Sequence, residues 1–134
     1  MYKDNYIYPC VFIYEDEGIS VYYPDLDGCV TFGNDEQEAF KNAREALTMH
    51  LHGIEQDGDP MPCPSLIKDV VLDENEQVLL LEVSMPTFRA KQANKLVKKT
   101  LTIPEWLNIA AEKNNVNFSQ LLQSALKQHL QLEA

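Results

Sequence analysis

The sequence predicts a mixed α+β protein in two parts: a small N-terminal domain of the order β-β-β-α-β, and a C-terminal strand followed by two helices. Three observations support this class. β-branched and aromatic residues alternate through the first part of the chain, a later run of apolar residues has helical spacing, and the sign of the charge changes near residue 87. We therefore expect domains at residues 1–86 and 97–134, joined by a linker at residues 87–96.

The first three strands are predicted from alternation and from the turns between them. Tyr6–Tyr14 and Ile19–Tyr23 are rich in β-branched and aromatic residues, and an acidic stretch that ends in Gly18 separates them as a turn. A second turn at Pro24–Gly28 leads into a short strand at Cys29–Phe32. These three strands are expected to form an antiparallel meander.

One amphipathic helix is predicted after the meander. Asn34 or Asp35 can cap its first turn, with Gln37 or Glu38 completing a capping box. Apolar residues recur at helical spacing until the sequence Asp-Gly-Asp-Pro at residues 57–60 ends the run. The helix should cover one face of the sheet.

A proline-rich connection and a further hairpin are predicted to complete the N-terminal domain. Three prolines within residues 60–65 indicate a stiff, extended segment. Val70–Leu72 and Val78–Val83, separated by an acidic turn, are typical of two more strands. The order is therefore β-β-β-α-β-β or close to it.

The C-terminal part is predicted to be a strand and two helices. Val97–Ile103 is typical of a strand, Pro104 suits the first turn of a helix, and Asn114-Asn115 marks a break. A second helix is expected from about Phe118 to Leu130. Fewer than 40 residues cannot bury enough apolar surface alone, so this segment should fold as a dimer.

Opposite net charges distinguish the two parts. Residues 1–86 contain 4 Lys and Arg against 18 Asp and Glu, a net charge of −14, whereas residues 87–134 contain 7 against 3, a net charge of +4. Each local field attracts its own counter-charge. The first part should therefore repel phosphates and prefer a basic partner, and the second part should attract phosphates.

Several functional classes are disfavoured by the residues present. Cys10, Cys29 and Cys63 are odd in number and too scattered for a CxxC pair, so we expect reduced, buried thiols and no zinc site. His50 and His52 point to different faces of a helix and cannot share a metal. Without a phosphate loop or a nucleophile motif, we expect no enzyme activity, no cofactor and no metal. The chain also lacks a leader pattern and an apolar run of roughly 20 residues, which favours the cytoplasm.

The segment at residues 97–103 alternates between an apolar and a polar face. Two such strands, paired about a twofold axis, form a ribbon that fits the major groove of DNA, where Lys can reach guanine acceptors and Thr a base edge. The N-terminus of the last helix suits a DNA phosphate. The residues expected to contact DNA are Lys98, Lys99, Thr100, Thr102, Asn117, Phe118 and Ser119.

This arrangement resembles the ribbon-helix-helix family of repressors. The alternative is a swapped strand-helix-helix dimerisation arm with a polar outer face. Lys99 departs from the family pattern because it falls on the inward side of the strand. From there it can either extend its charged end outward or help to grip the DNA backbone. The residues expected to form the dimer core are Leu101, Ile103, Leu107, Leu122 and Leu126.

A second resemblance lies in residues 23–33 (YPDLDGCVTFG), followed by Glu38-Ala39 and residues 42–47 (NAREAL). The run looks like the signature of HicB-type antitoxins, in which a strand ends in a Pro-Asp-Leu-x-Gly-Cys turn before the main helix. The resemblance implies a partial ribonuclease H-like fold in residues 1–85 and binding of a small basic HicA-type toxin that cleaves mRNA. It also implies that the C-terminal part forms a homodimer, or a higher oligomer, that represses the operon by binding double-stranded operator DNA.

The acidic domain suits such a partner because an enzyme that grips RNA must present a basic surface, which an acidic protein can occupy. Two rival hypotheses remain open. One is a stand-alone repressor whose N-terminal domain senses a ligand or oligomerises. The other is a metal-dependent nuclease that uses Asp25 with Asp27, or Asp57 with Asp59, although such turn residues are commoner as solvated turn formers. The residues expected to face a toxin are Asp25, Asp27, Glu15 and Asp16.

Overall fold

A four-stranded antiparallel sheet and a long helix make up most of the first of two units, Met1–Lys95 and Leu96–Ala134. The computed structural model describes residues 1–94 and 96–132. The elements of the first unit are β1 (Asn5–Glu15), β2 (Gly18–Tyr22), β3 (Val30–Gly33), α1 (Glu36–Asp57), a 3₁₀ turn (Ile67–Asp69), β4 (Glu76–Ser84) and α2 (Pro86–Ala93). The spatial order of the strands is β3-β2-β1-β4. The mixed α+β class and the β-β-β-α-β order are confirmed.

Strand β1 is the centre of the sheet and carries a proline. Its register with β4 runs from Asn5 opposite Ser84 to Ile13 opposite Glu76. Pairing of β1 with β2 begins only at Val11. Pro9, which lacks an N–H, thus lies where β1 is bonded on one side alone, a position in which a strand tolerates proline.

Helix α1 covers one face of the sheet. Ala39, Ala43, Leu47 and Leu51 recur every four residues and are completely buried. They pack on alternate residues of the strands, which share one face because side chains in a strand alternate. The strand residues of this core are Tyr6, Tyr8, Cys10, Phe12, Ile19, Val21, Leu81 and Val83.

Helix α1 begins and ends at residues suited to those positions. The Asp35 side chain accepts a hydrogen bond of 2.8 Å from the Glu38 N–H, and the Glu38 carboxylate accepts one of 3.1 Å from the Asn34 N–H. The predicted capping pair of Asp35 and Glu38 is therefore present. The second bond of a capping box usually comes from the N–H of the cap residue itself, whereas here it comes from the preceding residue, Asn34. Gly58 ends the helix in the left-handed conformation (φ 72°).

The hairpin predicted at residues 70–83 is wrong in its first half. Val78–Val83 lies within β4, but Val70–Leu72 belongs to no strand, and the side chain of Val71 is 89% exposed. β4 instead pairs with β1 over nine residues. A three-residue strand offers fewer backbone hydrogen bonds than this long-range pairing, so β1 is the better partner.

The segment predicted to be a linker, residues 87–96, contains most of a helix. Residues 86–93 form α2, which begins with Pro86 in its first turn and ends at Asn94 in the left-handed conformation. The Phe88 ring contacts His52 edge-on at 5.1 Å, and Arg89 forms an ion pair with Glu55. These long-range contacts stabilise a helix that the apolar pattern did not indicate. Lys95, the next residue of that linker, lies outside the described residues.

The second unit contains two helices, α3 (Glu105–Lys113) and α4 (Phe118–His129). Pro104 is the N-cap of α3 and so precedes its first turn, and residues 114–117 separate the helices. Within the described part of one chain, the strand expected at residues 97–103 has no pairing partner and is not formed. A β-ribbon needs a second strand, which one chain does not supply here. Glu133 and Ala134 of the predicted second domain lie outside the described residues.

Candidate functional site

The turn between β2 and β3 holds the Tyr23–Cys29 part of the sequence signature, and it is docked on α1. Tyr23, Leu26 and Cys29 are buried, and the Tyr23 hydroxyl donates a 2.6 Å hydrogen bond to the Ala43 carbonyl. Burial raises the pKa of Tyr23, and it raises the pKa of Cys29 to about 11. Backbone bonds from Tyr23 to Cys29 (3.2 Å) and from Leu26 to Tyr23 (3.1 Å) close the turn. These signature residues therefore act structurally, by fixing the meander to the helix.

Asp25, expected to face a toxin or to bind a metal, is half-buried and holds the proline-rich connection. Its carboxylate accepts hydrogen bonds from the Ser65 N–H (2.9 Å) and the Ser65 hydroxyl (2.5 Å). Asp27, two residues later, is exposed. Within residues 1–94 and 96–132, no three His, Cys, Asp or Glu side chains are grouped closely enough to hold a metal ion. The contact of Asp25 with Ser65 links two segments 40 residues apart.

Glu15 and Asp16 lie at the opposite end of β2 from Asp25 and Asp27. Glu15 is the last residue of β1 and Asp16 lies in the turn that follows, and both line a shallow concavity with the first turn of α1. Glu15 accepts a 2.7 Å hydrogen bond from the Ser20 hydroxyl. Five residues of strand separate the two turns, which is about 16 Å. The structure therefore does not bring the four predicted acidic residues into one site.

The face of the sheet that points away from α1, called here the open face, is apolar, and sequence reasoning missed it. The register aligns Val30, Tyr22, Val11 and Val78 in one row across all four strands. Val11 in the middle is completely buried, whereas Val30 at the edge is 66% exposed. The apolar members of the open face around Val11 are Ile7, Ile13, Tyr22, Val30, Phe32, Val78 and Leu80.

Carboxylates lie beside this apolar surface. Glu76 is opposite Ile13 and Glu82 is opposite Ile7, so both share the open face. The pKa of Tyr22 is raised, first by partial burial and then by the charges of Glu76 and Asp73, which agrees with this placement. The sequence contains one signal that predicts this apolar face. In β1 both the even-numbered and the odd-numbered residues from 6 to 13 are apolar or aromatic, as in a strand covered on two sides.

The residues expected to contact DNA lie in two places in the second unit. Lys98, Lys99, Thr100 and Thr102 are all exposed on the segment that precedes α3. Asn117, Phe118 and Ser119 lie at the start of α4, as predicted. The Asn117 side chain is the N-cap and accepts a 3.1 Å hydrogen bond from the Gln120 N–H. Asn117 therefore has a structural role at the helix N-terminus, and DNA contacts of all seven residues stay predictions.

The residues expected to form the dimer core are largely exposed in one chain. Leu122 is half-buried, and the other four have exposed fractions between 41% (Leu107) and 57% (Leu101). No residue between Leu96 and Leu132 is buried. An isolated unit of this kind leaves its apolar side chains in water, which is a strong reason to expect a partner surface.

No helix within the described residues has the length and apolar character that crossing a bilayer requires.

The chain is similar to known proteins both in sequence family and in fold. A family model described as HicB_like antitoxin of bacterial toxin-antitoxin system matches residues 8–126. A curated relative, an uncharacterized 14.9 kDa protein in the rep-hol intergenic region of Haemophilus phage HP1, is 31% identical over 65 residues. That match covers 48% of this chain and about half, 49%, of the relative.

Two solved structures resemble this chain over more than nine-tenths of its length. One chain of a toxin-antitoxin complex from Streptococcus pneumoniae is 25% identical with a TM-score of 0.60, and the match covers 93% of this chain and 99% of that chain. The Burkholderia pseudomallei antitoxin HicB is 21% identical with a TM-score of 0.50, over 92% of this chain and 98% of that chain. The second match shows a shared fold.

Proposed function

Because the chain belongs to the family of HicB-like antitoxins of bacterial toxin-antitoxin systems, we propose that it neutralises a HicA-type, mRNA-cleaving toxin by binding it directly and represses its own operon by binding operator DNA. The observation that carries this proposal is the extent of the family match, because residues 8–126 include most of the acidic unit, all of α3 and most of α4. From this match we also infer that the chain is a non-enzymatic regulator that acts in the cytoplasm.

Neutralisation is assigned to the first unit, for which we propose a partial ribonuclease H-like fold. Its support is electrostatic: a net charge of −14 over residues 1–86 favours a basic partner and repels the partner's RNA substrate. The similar chain from Streptococcus pneumoniae comes from a toxin-antitoxin complex, which agrees with this role.

The test is inhibition of the toxin in solution. The proposal requires a small basic HicA-type toxin encoded beside this chain. That protein is purified and its cleavage of RNA is measured while this chain is added. Cleavage should fall to background at a fixed molar ratio. An unrelated protein of similar negative charge is the control for non-specific binding, and it should leave cleavage unchanged. Full cleavage in the presence of excess chain would contradict the proposal.

Repression is assigned to the second unit, folded as a ribbon-helix-helix homodimer. In this arrangement residues 97–103 of two chains pair as a ribbon, with Lys98, Thr100 and Thr102 facing the major groove and the N-terminus of α4 facing a phosphate. The proposal is supported by the exposed apolar side chains of α3 and α4, which a second copy would cover. It is also supported by the net charge of +4 over residues 87–134.

Replacing Lys98 and Thr100 by Ala tests the ribbon. The double variant should lose specific binding to the operator in a gel-shift experiment at fixed salt and remain a dimer, because neither side chain is expected in the dimer core. Lys127→Ala, on α4, removes the same charge and is the matched control, which should still bind the operator specifically. Wild-type affinity of the double variant would exclude the ribbon as the reading surface.

A further inference from the structure

The open face of the sheet lies on the side away from α1 and carries exposed apolar side chains on its two edge strands. Sheets in globular domains bury apolar faces, and here α1 covers only the face that carries Tyr8, Cys10 and Leu81. The row from Val30 to Val78 crosses four strands, so its apolar width is about 14 Å at the usual strand spacing. The most exposed apolar side chains of this face lie on the two edge strands, Val30 (66%) on β3 and Leu80 (54%) on β4.

The charges on this face all have the same sign. Glu15, Glu76 and Glu82 lie at its margin, and no Lys or Arg occupies a position of the four described strands on this side. The Glu76 carboxylate is oriented by a 2.9 Å hydrogen bond from the Asp73 N–H. The strand positions at the margin therefore carry only acidic charge around an apolar centre.

The negative charge of the glutamates at the margin favours one kind of binding partner over another. A second copy placed face to face would bring glutamates of one chain toward glutamates of the other, and like charges at close range are destabilising. A basic protein with an apolar patch would satisfy both the centre and the margin, since apolar side chains would be removed from water and each glutamate would meet a cation.

We propose that the open face is the toxin-docking surface, on which a small basic protein covers Val30, Phe32 and Leu80 with apolar side chains and pairs Lys or Arg with Glu76 and Glu82. The inference rests on the proposed function and adds to it the location of the contact. It places the centre of binding away from the acidic turns at Glu15–Glu17 and Asp25–Asp27, on which the sequence concentrates its charge.

Single lysine substitutions in the full-length chain test the surface. Val30→Lys and Leu80→Lys each place a charged side chain at an exposed apolar position, one at either side of the face. Met49→Lys on α1, where the side chain is 65% exposed, is the matched control because it makes a similar change outside the sheet. Affinity for the purified toxin encoded beside the chain is measured by calorimetry, and folding by thermal unfolding.

Each open-face variant should weaken toxin binding by about tenfold or more, equivalent to ~1.4 kcal/mol, while Met49→Lys binds as the wild type does. Glu82→Gln should lower affinity more at low salt than at high salt, because its contribution is a charge at the margin. If one lysine variant fails to fold, the other variant and Glu82→Gln still decide the question.

Three other outcomes would overturn the inference. If the wild type binds toxin and the folded open-face variants bind equally well, the proposed function stands and the docking surface is elsewhere. If those variants reduce the oligomeric state in light scattering and leave toxin affinity unchanged, a second copy covers the face. If the wild-type chain binds no toxin, the proposed function itself fails and the docking proposal fails with it.

Discussion

Gly33 marks the closest approach between the sheet and α1. A Cβ atom at Gly33 would lie 2.2 Å from the Ala39 nitrogen and 2.5 Å from the Ala39 Cα. Both are backbone atoms of the first helical turn, so neither can move without shifting the helix. Glycine is required at the end of β3 for steric reasons, even though its φ is not positive.

Gly33→Ala should therefore lower the free energy of unfolding by about 1–3 kcal/mol, because overpacking forces the backbone apart. Urea denaturation monitored by circular dichroism measures the change. Gly53→Ala is the matched control: it lies inside α1 with no atom near the added methyl group, so it should raise stability by about 0.5–1 kcal/mol. Equal effects of the two substitutions would refute the close-packing argument.

The three cysteines are not equivalent. Cys10 and Cys29 are buried and Cys63 is exposed, so the expectation of buried thiols holds for the first two only. Burial raises the pKa of Cys10 to about 12 and that of Cys29 to about 11, since it destabilises the thiolate. Only the thiolate is a strong nucleophile.

A thiol reagent should accordingly modify one cysteine of the native chain rapidly and all three after unfolding. Because pH 10 lies below both raised pKa values, Cys10 and Cys29 stay protonated there and remain slow. Absorbance of the released product counts the reactive thiols, and Cys63→Ser should abolish the rapid phase. Rapid reaction of two or three native thiols would show that the core around α1 opens readily.

At the scale of elements, α2 depends on contacts distant in sequence. The Arg89 guanidinium bonds both oxygens of Glu55 on α1, at 3.0 and 2.7 Å, and also contacts Asp4 at 2.8 Å and the Lys3 carbonyl. The hydrogen bond to Glu55 is the main reason why the pKa of Arg89 is raised. A single side chain thus connects α2 to the end of α1 and to the N-terminus.

Arg89→Ala should reduce the free energy of unfolding by about 1.5–3 kcal/mol, the usual range for hydrogen bonds to charged groups. Arg89→Lys should recover less than half of the loss, because an ammonium group cannot bond both carboxylate oxygens in the same planar geometry. Lys91→Ala removes an exposed cation of the same helix and serves as the control. Chemical denaturation of the three variants gives the comparison, and full recovery by Arg89→Lys would show that charge alone matters.

At the scale of the whole molecule, the two units differ in how each is stabilised. The first unit has a continuous core between α1 and the sheet, with Leu47, Leu51 and Leu81 completely inaccessible. The second unit has apolar side chains on α3 and α4 but buries none of its described residues. The proposed toxin binding by the first unit should therefore be separable from the proposed dimerisation of the second.

Leu126→Glu should separate the two activities. A carboxylate at this half-exposed position would be placed in the proposed dimer core, where an unpaired charge is strongly unfavourable. The variant should become monomeric in light scattering and lose operator binding, yet inhibit the toxin as the wild type does. Gln128→Glu on the same helix adds the same charge and should remain dimeric. A dimeric Leu126→Glu variant would exclude this residue from the interface.

The sequence by itself determined the features that depend on local chemistry and spacing. The alternation of Tyr6–Tyr14, the cap at Asp35, the helical spacing from Ala39 to Leu51 and the turn that ends in Gly28 each act within a few residues. They predict the meander and α1, as Pro104 and the break at Asn114-Asn115 predict the short helices of the second unit. The opposite charges of the two parts are likewise a property of composition.

Only the tertiary structure decided features that join distant segments. The bonds of Ser65 to Asp25, the pairing of β4 with β1 and the attachment of Arg89 to Glu55 connect residues 34 to 79 positions apart, so no local pattern contains them. The open face is of the same kind. Its apolar row exists because strand register places Val30, Tyr22, Val11 and Val78 side by side, and register is set by long-range packing between strands.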